Sequence, residues 1–249
     1  MKFILLHFLL GVESDVKNEE QLLGLVDTAI PEISLEVMRC AAHTVNLVIK
    51  DAIKSTDCAK ELKEIRAIVK KSKHIVFRPV FKLNAVAVPK LDCETRWGTT
   101  AVMAECFLAI EPIETQLRKV DTTFVIKKEY YDFAKLFVEA FKPILKLLQN
   151  LQKDQIIIGD VYKYYWLETR NHLNKIESNK YAQALLEALT KRKISLFENK
   201  AFVAGMYLDP RFNFQDSPYL SSVQKQQAIV SIRIKDFLAS LYNIKIIYV

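Results

Sequence analysis

Residues 34–54 read SLEVMRCAAHTVNLVIKDAIK, and the spacing of their apolar side chains predicts an amphipathic helix. The apolar positions are Val37, Cys40, Ala41, Thr44, Leu47, Val48 and Ala52. Ser34 is a residue type that favours the N-cap of a helix. The apolar face of the predicted helix holds Cys40 and Leu47.

A polar stripe borders this apolar face. Its members are Arg39, His43, Asn46 and Lys50, which follow one another at steps of four, three and four residues. Such a stripe can contact phosphate groups, with His43 as a hydrogen-bond donor. A solvated helix face with a partly buried histidine is the alternative, and the helix taken alone favours that alternative.

The composition of the 249-residue chain favours long helices. Hydrophobic residues make up 51% and charged residues 26% of the sequence, which is the balance of a globular protein rather than a disordered one. Five glycines and seven prolines leave little material for the tight turns that many short strands would need. The sequence therefore predicts a mainly α fold, a helical bundle.

Further helical patterns follow along the chain. They span about 56–72, 98–118, 129–151, 159–177, 179–194 and 221–241. The pattern over 159–177 includes an aromatic stripe of Tyr162, Tyr165 and Trp166. A stripe at this spacing is more typical of a core than of a ligand-binding surface.

Prolines interrupt the pattern at several points. Pro112 and Pro143 are expected to kink or divide their helices. Residues 75–91 are rich in β-branched residues and are broken by Pro79 and Pro89. We therefore expect an irregular connector there, with at most a short β segment.

The charge balance is compatible with nucleic-acid binding. Lys and Arg number 36 and Asp and Glu 29, for a net charge of +7, although many soluble proteins are as basic. The indole of Trp97 could stack on an exposed base while Arg96 holds a phosphate, but a tryptophan that pins the connector onto the bundle is the simpler interpretation. The outer side of the helix over 56–72 carries Lys60, Lys63, Arg66, Lys70, Lys71 and Lys73. The candidate nucleic-acid contacts are Arg39, His43, Asn46, Lys50, Lys63, Arg66, Lys70, Arg96 and Trp97.

Metal and hydrolase chemistry finds little support in the sequence. Cys40 and His43 supply one pair of zinc ligands, but the other cysteines and histidines supply no second close pair. We therefore predict no metal site. The sequence has no Gly-x-Ser-x-Gly elbow, glycine-rich phosphate loop or His-Glu-x-x-His motif. Four irregularly spaced cysteines favour reduced thiols over a disulfide framework.

The N-terminus leaves localisation open. Residues 1–14 begin with a basic residue and a short apolar run, as a signal peptide does, but His7 interrupts the run and the following residues form a poor cleavage site. A buried element, or the edge of a truncated product, is the alternative. No apolar run approaches the roughly 20 residues that span a bilayer, so no membrane partner is expected. The predicted organisation is an apolar lead-in over 1–33 and a helical domain over 34–249, with a connector at 75–97.

Three ordered motifs resemble those of the hAT-superfamily transposases, many of which carry a BED zinc finger. The first is Arg39-Cys40-Ala41-Ala42-His43-Thr44-Val45-Asn46-Leu47, where Val45 replaces the usual leucine. The second is Thr95-Arg96-Trp97-Gly98-Thr99, similar to Thr-Arg-Trp-Asn-Ser, and the third is Leu208-Asp209-Pro210-Arg211-Phe212, a full match. The resemblance extends over roughly residues 30–240. It implies the helical insertion region of an RNase H-like fold.

The resemblance also implies a catalytic apparatus that this sequence does not match. Family members cut DNA with an Asp-Asp-Glu triad that holds two divalent metal ions. Asp15 and Asp27 do not lie in the family's motif context, and the final glutamate segment and the BED finger have no counterpart. We therefore expect an inactive fragment or domesticated remnant that needs no cofactor.

The resemblance carries individual roles onto few residues. In the family the Cys-x-x-His helix lies near the active site and the tryptophan of the second motif handles cleaved DNA ends, which implies such ancestry for Cys40, His43 and Trp97. Asp209 is expected to fix a turn or cap a helix, with Pro210 setting the dihedral angle. Arg211 completes the third motif.

Two functions remain open at this point. The first is weak, non-specific DNA binding by a nuclear, transposase-derived remnant, which could also associate with itself or with a related transposase chain. The second is a helical protein-interaction module without nucleic-acid contact. Secretion is the alternative to a nuclear location if residues 1–14 act as a signal peptide.

Overall fold

A computed structural model describes residues 40–93, 98–153 and 155–241, with side chains described as far as residue 232. Eleven α-helices lie in these ranges: α1 (Ala41–Ser55), α2 (Ala59–Ser72), α3 (Arg78–Leu83), α4 (Gly98–Leu108), α5 (Glu114–Val120), α6 (Lys128–Leu151), α7 (Ile158–Tyr162), α8 (Thr169–Asn174), α9 (Lys180–Phe197), α10 (Lys200–Leu208) and α11 (Ser222–Leu241). Two 3₁₀ turns, Ile75–Phe77 and Glu111–Ile113, and one π-helix, Lys163–Glu168, complete them. The described ranges contain no strand. The predicted mainly α fold is confirmed.

The described residues form two compact units. The larger unit comprises Cys40–Ile156 and Val161–Ile194, and the smaller comprises Ile157–Asp160 and the residues from Ser195 onward. The predicted boundary at residue 33 lies outside the described residues and stays a prediction. In the described part of the chain, no helix is long and apolar enough to cross a membrane.

An aromatic ladder on α6 forms the centre of the larger unit. Phe133, Phe137 and Phe141 recur every four residues, with ring centroids 5.4 and 4.1 Å apart. Tyr181 of α9 meets Phe133 and Phe137 edge-on, at 5.5 and 5.8 Å. Full burial of one such side chain stabilises a fold by roughly 1.5–3 kcal/mol. The ladder therefore fixes α9 against α6.

The two prolines that were expected to kink or divide a helix differ in their effect on the structure. Pro112 lies in the 3₁₀ turn between α4 and α5, so the predicted helix over 98–118 is divided there. Pro143 lies inside α6, which continues through it. Phe141 and Ile144 on either side of this proline are buried. Burial of one continuous face offsets the hydrogen bond that a proline removes.

The short β segment allowed for residues 75–91 is not formed. Residues 75–83 are helical, and residues 84–91 have no regular secondary structure. Phe77, Val80 and Phe81 are buried, and their spacing of three and one residues is that of a helix face. Pro79 occupies the first turn of α3, where its fixed φ suits a helix. Tertiary burial thus outweighs the β propensity of this segment.

The aromatic stripe predicted over 159–177 lies mainly in the core. Tyr162, Tyr165 and Leu173 are buried, and the Tyr165 hydroxyl donates to the carbonyl of Leu189 at 3.2 Å. Burial raises the pKa of Tyr165 well above its ordinary value. Trp166 is half-buried, with the Lys193 ammonium 4.1 Å from its ring centroid.

Helix α10 of the smaller unit is absent from the sequence-based prediction. Its nine residues, KAFVAGMYL, are almost all apolar, so they lack the polar face that would reveal a helical period. Asn199 caps it by accepting the backbone N–H groups of Ala201 and Phe202. An Asn followed by an apolar run was the available signal.

Candidate nucleic-acid interface

The polar stripe of α1 lies at the protein surface. His43 and Lys50 are exposed and Asn46 is half-buried, whereas Arg39 lies outside the described residues. The buried face differs from the predicted one, because its centre is formed by Val45, Val48 and Ile49. Cys40 is exposed and precedes the helix as its N-cap residue, so it does not contribute to the apolar face. The prediction for Cys40 was wrong because it extended the helical period across the start of the helix.

Three lysines form a row along the outer side of α2. Lys60, Lys63 and Lys70 are exposed, opposite a buried face of Leu62, Ile65 and Val69. We call these three lysines the α2 row. At 1.5 Å per residue the row spans about 15 Å. None of its ammonium groups forms an ion pair with a described carboxylate.

Arg66 faces a different environment from the lysines of the row. Its guanidinium donates to both carboxylate oxygens of Asp92, at 2.7 and 2.5 Å. The Asp92 side chain is 2% exposed and also accepts the Thr100 hydroxyl at 3.1 Å. The hydrogen bond from Arg66 is the main cause of the lowered pKa of Asp92. Arg66 therefore holds the connector against α2, and its guanidinium is largely engaged within the fold.

Lys71 is also engaged within the fold. Its ammonium lies 3.0 Å from the carboxylate of Asp121 and 2.7 Å from the hydroxyl of Thr123. Hydrogen bonds from Thr123 and Lys71 lower the pKa of Asp121 to about 2. Of the six cations on the outer side of the predicted helix, Arg66 and Lys71 are therefore paired with carboxylates. The other four are lysines without an ion pair to a described carboxylate.

An open groove adjoins the C-terminal end of α2. It encloses about 880 Å³, within the range of pockets that hold small organic groups. Most of its lining surface is apolar, although many of the lining residues carry polar ends. The lining residues are Ala67, Lys70, Lys71, Lys73, His74, Val76, Phe77 and Asp121. We call it the α2 groove. Lys70 belongs to both the groove and the α2 row, so the two features are continuous.

Sequence reasoning missed the groove residues Ala67, His74 and Val76 as candidates. Val76 is 46% exposed although it is a large apolar residue, and it lies in the 3₁₀ turn Ile75–Phe77. Arg96 and Trp97 lie outside the described residues, so their predicted role in nucleic-acid contact stays a prediction.

The motif at residues 208–212 forms a turn closed by an arginine–carboxylate cluster in the smaller unit. Asp209 ends α10 and accepts the backbone N–H of Arg211 at 3.0 Å. The Arg211 guanidinium returns to both oxygens of Asp209 and reaches Asp160 at 2.8 Å. Its hydrogen bond to Asp209 is the main cause of the lowered pKa of that carboxyl. Pro210 lies in the intervening turn, so the motif acts here as a turn and an ion-pair cluster.

No group of three or more His, Cys, Asp and Glu side chains suited to a metal ion occurs among the residues that the structure describes. Asp209 is occupied by Arg211, and Asp92 by Arg66. The described surface at α2 offers exposed lysines and an open groove.

Part of the chain matches a known protein family. Residues 38–132 match the family described as ZBED1 RNase-like helical domain, a range that contains α1, α2 and the α2 groove but not the motif at 208–212. No curated protein and no solved structure matches the chain. The match supports a transposase-derived helical region of the BED-finger and hAT type, without specifying a particular transposase.

Proposed function

We propose that the chain is a transposase-derived helical protein that does not cut DNA and that binds nucleic acid weakly, without sequence preference, through the α2 row. The observation that carries the proposal is the exposure of Lys60, Lys63 and Lys70 without a carboxylate partner among the described residues. These lysines lie within residues 38–132, which match a transposase-derived domain. This match supports DNA as the negatively charged polymer that the row binds.

The geometry of the row suits a phosphate backbone. Its length of about 15 Å corresponds to roughly four nucleotides of one B-DNA strand at about 3.4 Å each. Three lysines can therefore neutralise about three phosphates. Because the phosphate groups are the same at every nucleotide, binding through phosphate contacts carries no sequence information.

Salt dependence measures the number of these contacts. Three phosphate contacts give a slope of about −2.7 for log affinity against log salt, or about 40-fold weaker binding between about 50 and about 200 mM salt. Removal of two contacts should reduce the slope to about −0.9, or a loss of three- to fourfold over the same range.

The experiment compares a charge-reversed row with a matched control. Binding of a labelled DNA duplex is followed by fluorescence anisotropy for the wild type and for Lys63→Glu plus Lys70→Glu. The control is Lys142→Glu plus Lys146→Glu, two exposed lysines on α6 that lie outside the row. We expect weaker binding and a shallower slope for the row variant alone. Salt-insensitive binding, or equal loss in the control, contradicts the proposal.

The absence of catalysis is a separate part of the proposal. Incubation of supercoiled plasmid with the protein and Mg²⁺ or Mn²⁺ should leave the plasmid intact. Metal-dependent cleavage that is abolished by one carboxylate substitution would show that the chain is an active nuclease.

A protein-interaction module is the second candidate function. It is favoured by the exposure of two large apolar side chains, Leu83 at 82% and Ile75 at 66%. Concentration-dependent self-association in analytical ultracentrifugation, abolished by Leu83→Ser, together with the absence of DNA binding at low salt, would support this candidate over the first.

A further inference from the structure

We infer that the α2 groove accepts an unpaired nucleobase, so that the chain prefers single-stranded nucleic acid to duplex. The inference rests on the proposed binding of the phosphate backbone by the α2 row. It adds a ligand class and a second contact to that proposal.

The groove has the surface that a base requires. Its apolar lining residues are Ala67, Val76 and Phe77. Phe77 is buried, whereas Val76 is 46% exposed and available for contact. Nucleobases have flat apolar faces that pack against aromatic or aliphatic side chains when they leave the stack. A groove of about 880 Å³ is large enough for one base with its sugar.

The position of the groove relative to the row links the two contacts. Lys70 lies at the end of the row and on the rim of the groove. A strand whose phosphates follow Lys60, Lys63 and Lys70 therefore reaches the groove with its next nucleotide. In a duplex that base is paired and stacked, so the duplex can use the row but not the groove.

The charges around the groove favour a polyanion over a compact acidic peptide. Lys70 and Lys73 on the rim form no ion pair with a described carboxylate, whereas Lys71 is paired with Asp121. The positive charge does not end at the groove, because it continues along α2 through Lys63 and Lys60. A ligand with evenly spaced negative charges along its length complements this arrangement.

The test separates the groove from the row. The variant Val76→Ser removes apolar surface from the groove without a change in charge. The matched control is Ile75→Ser, because Ile75 is adjacent and 66% exposed but does not line the groove. The probes are labelled oligothymidylate of about 20 nucleotides and a duplex of the same length, at equal salt. Thermal melting by circular dichroism confirms that both variants are folded.

We expect the wild type to bind oligothymidylate at least about fivefold more tightly than the duplex, the lower end of what one stacked base contributes. Val76→Ser should remove most of this preference and leave duplex affinity unchanged, and Ile75→Ser should alter neither. Equal affinity of the wild type for both probes, or no effect of Val76→Ser, overturns the groove inference while row-dependent duplex binding still supports the proposed function.

A failure of the proposed function has a different signature. Neither probe would bind at low salt, and the row variant would then have no binding to lose. Binding of an acidic amphipathic peptide that is weakened by Val76→Ser would, in that case, identify the groove as a peptide site and overturn its assignment to a nucleobase.

Discussion

Replacement of Arg66 by glutamine should destabilise the fold more than it weakens nucleic-acid binding. The substitution removes both guanidinium hydrogen bonds to Asp92, whose side chain is 2% exposed. The carboxylate then keeps the Thr100 hydroxyl as its remaining side-chain donor among the described residues. Breaking a buried pair costs about 3–5 kcal/mol, and the 39% exposure of the Arg66 side chain reduces this to about 2–3 kcal/mol because solvent screens the pair.

The two partners of this pair should differ in their effects. In Asp92→Asn the amide keeps the shape of the carboxylate and the arginine can still reach water, so we expect a loss of about 1 kcal/mol. Arg66→Gln combined with Asp92→Asn should be more stable than Arg66→Gln alone, because no buried charge is left unpaired. Urea denaturation of the four proteins, followed by circular dichroism, measures these differences in the free energy of unfolding.

The pH dependence gives an independent check on the same pair. Because the pKa of Asp92 is lowered in the folded protein, its stabilisation is complete above the unfolded value near 3.9 and is lost as the pH falls through the folded pKa. Without the guanidinium, burial should instead raise this pKa, so the deficit of Arg66→Gln should shrink between about pH 7 and about pH 4. An unchanged free energy of unfolding in Arg66→Gln, with reduced duplex affinity, would refute the structural role of Arg66.

Two further substitutions test the smaller unit. A Cβ at Gly159 would clash with Oδ2 of Asp209, so Gly159→Ala should lower the melting temperature by several degrees. The control is Gly98→Ala in the larger unit, where the Cβ would meet the flexible ends of Leu148 at 3.0 Å and Leu145 at 3.6 Å and should shift the melting temperature little. Equal shifts would contradict the packing of Gly159 against Asp209. Asn199→Ala removes the N-cap of α10 and should cost about 1 kcal/mol in urea denaturation, while Asn199→Asp should retain most of the stability.

The helices that the sequence predicted well are those with one clear apolar face. Residues 129–151 carry aromatic and aliphatic side chains at steps of three and four, and the predicted helix differs from α6 by one residue. Helix α10 and residues 75–83 lack this signal, because the first is apolar on all sides and the second is rich in β-branched residues. Their helicity depends on burial against other elements, which a local pattern does not contain.

The candidate interface was predictable only in part, because the ion pairs of its cations involve residues that are distant in sequence. The spacing of the cations on α2 placed Lys63, Arg66 and Lys70 on its outer side, as the structure does. It could not separate them by availability, because the partner of Arg66 lies 26 residues away along the chain and that of Lys71 lies about 50 residues away. These carboxylates, which are distant in sequence, determine which cations on α2 remain available to bind a phosphate.

The residues that carry the family resemblance and those that carry the proposed function are different sets. Asp209 and Arg211 of the motif at 208–212 form an arginine–carboxylate cluster with Asp160. The α1 motif contributes a polar stripe at the surface. The α2 row and groove belong to none of the three motifs, although they lie within the matched family range. Nucleic-acid binding that depends on Lys63, Lys70 and Val76 would therefore belong to the surface chemistry of this chain. The motifs would report its ancestry and the construction of its fold.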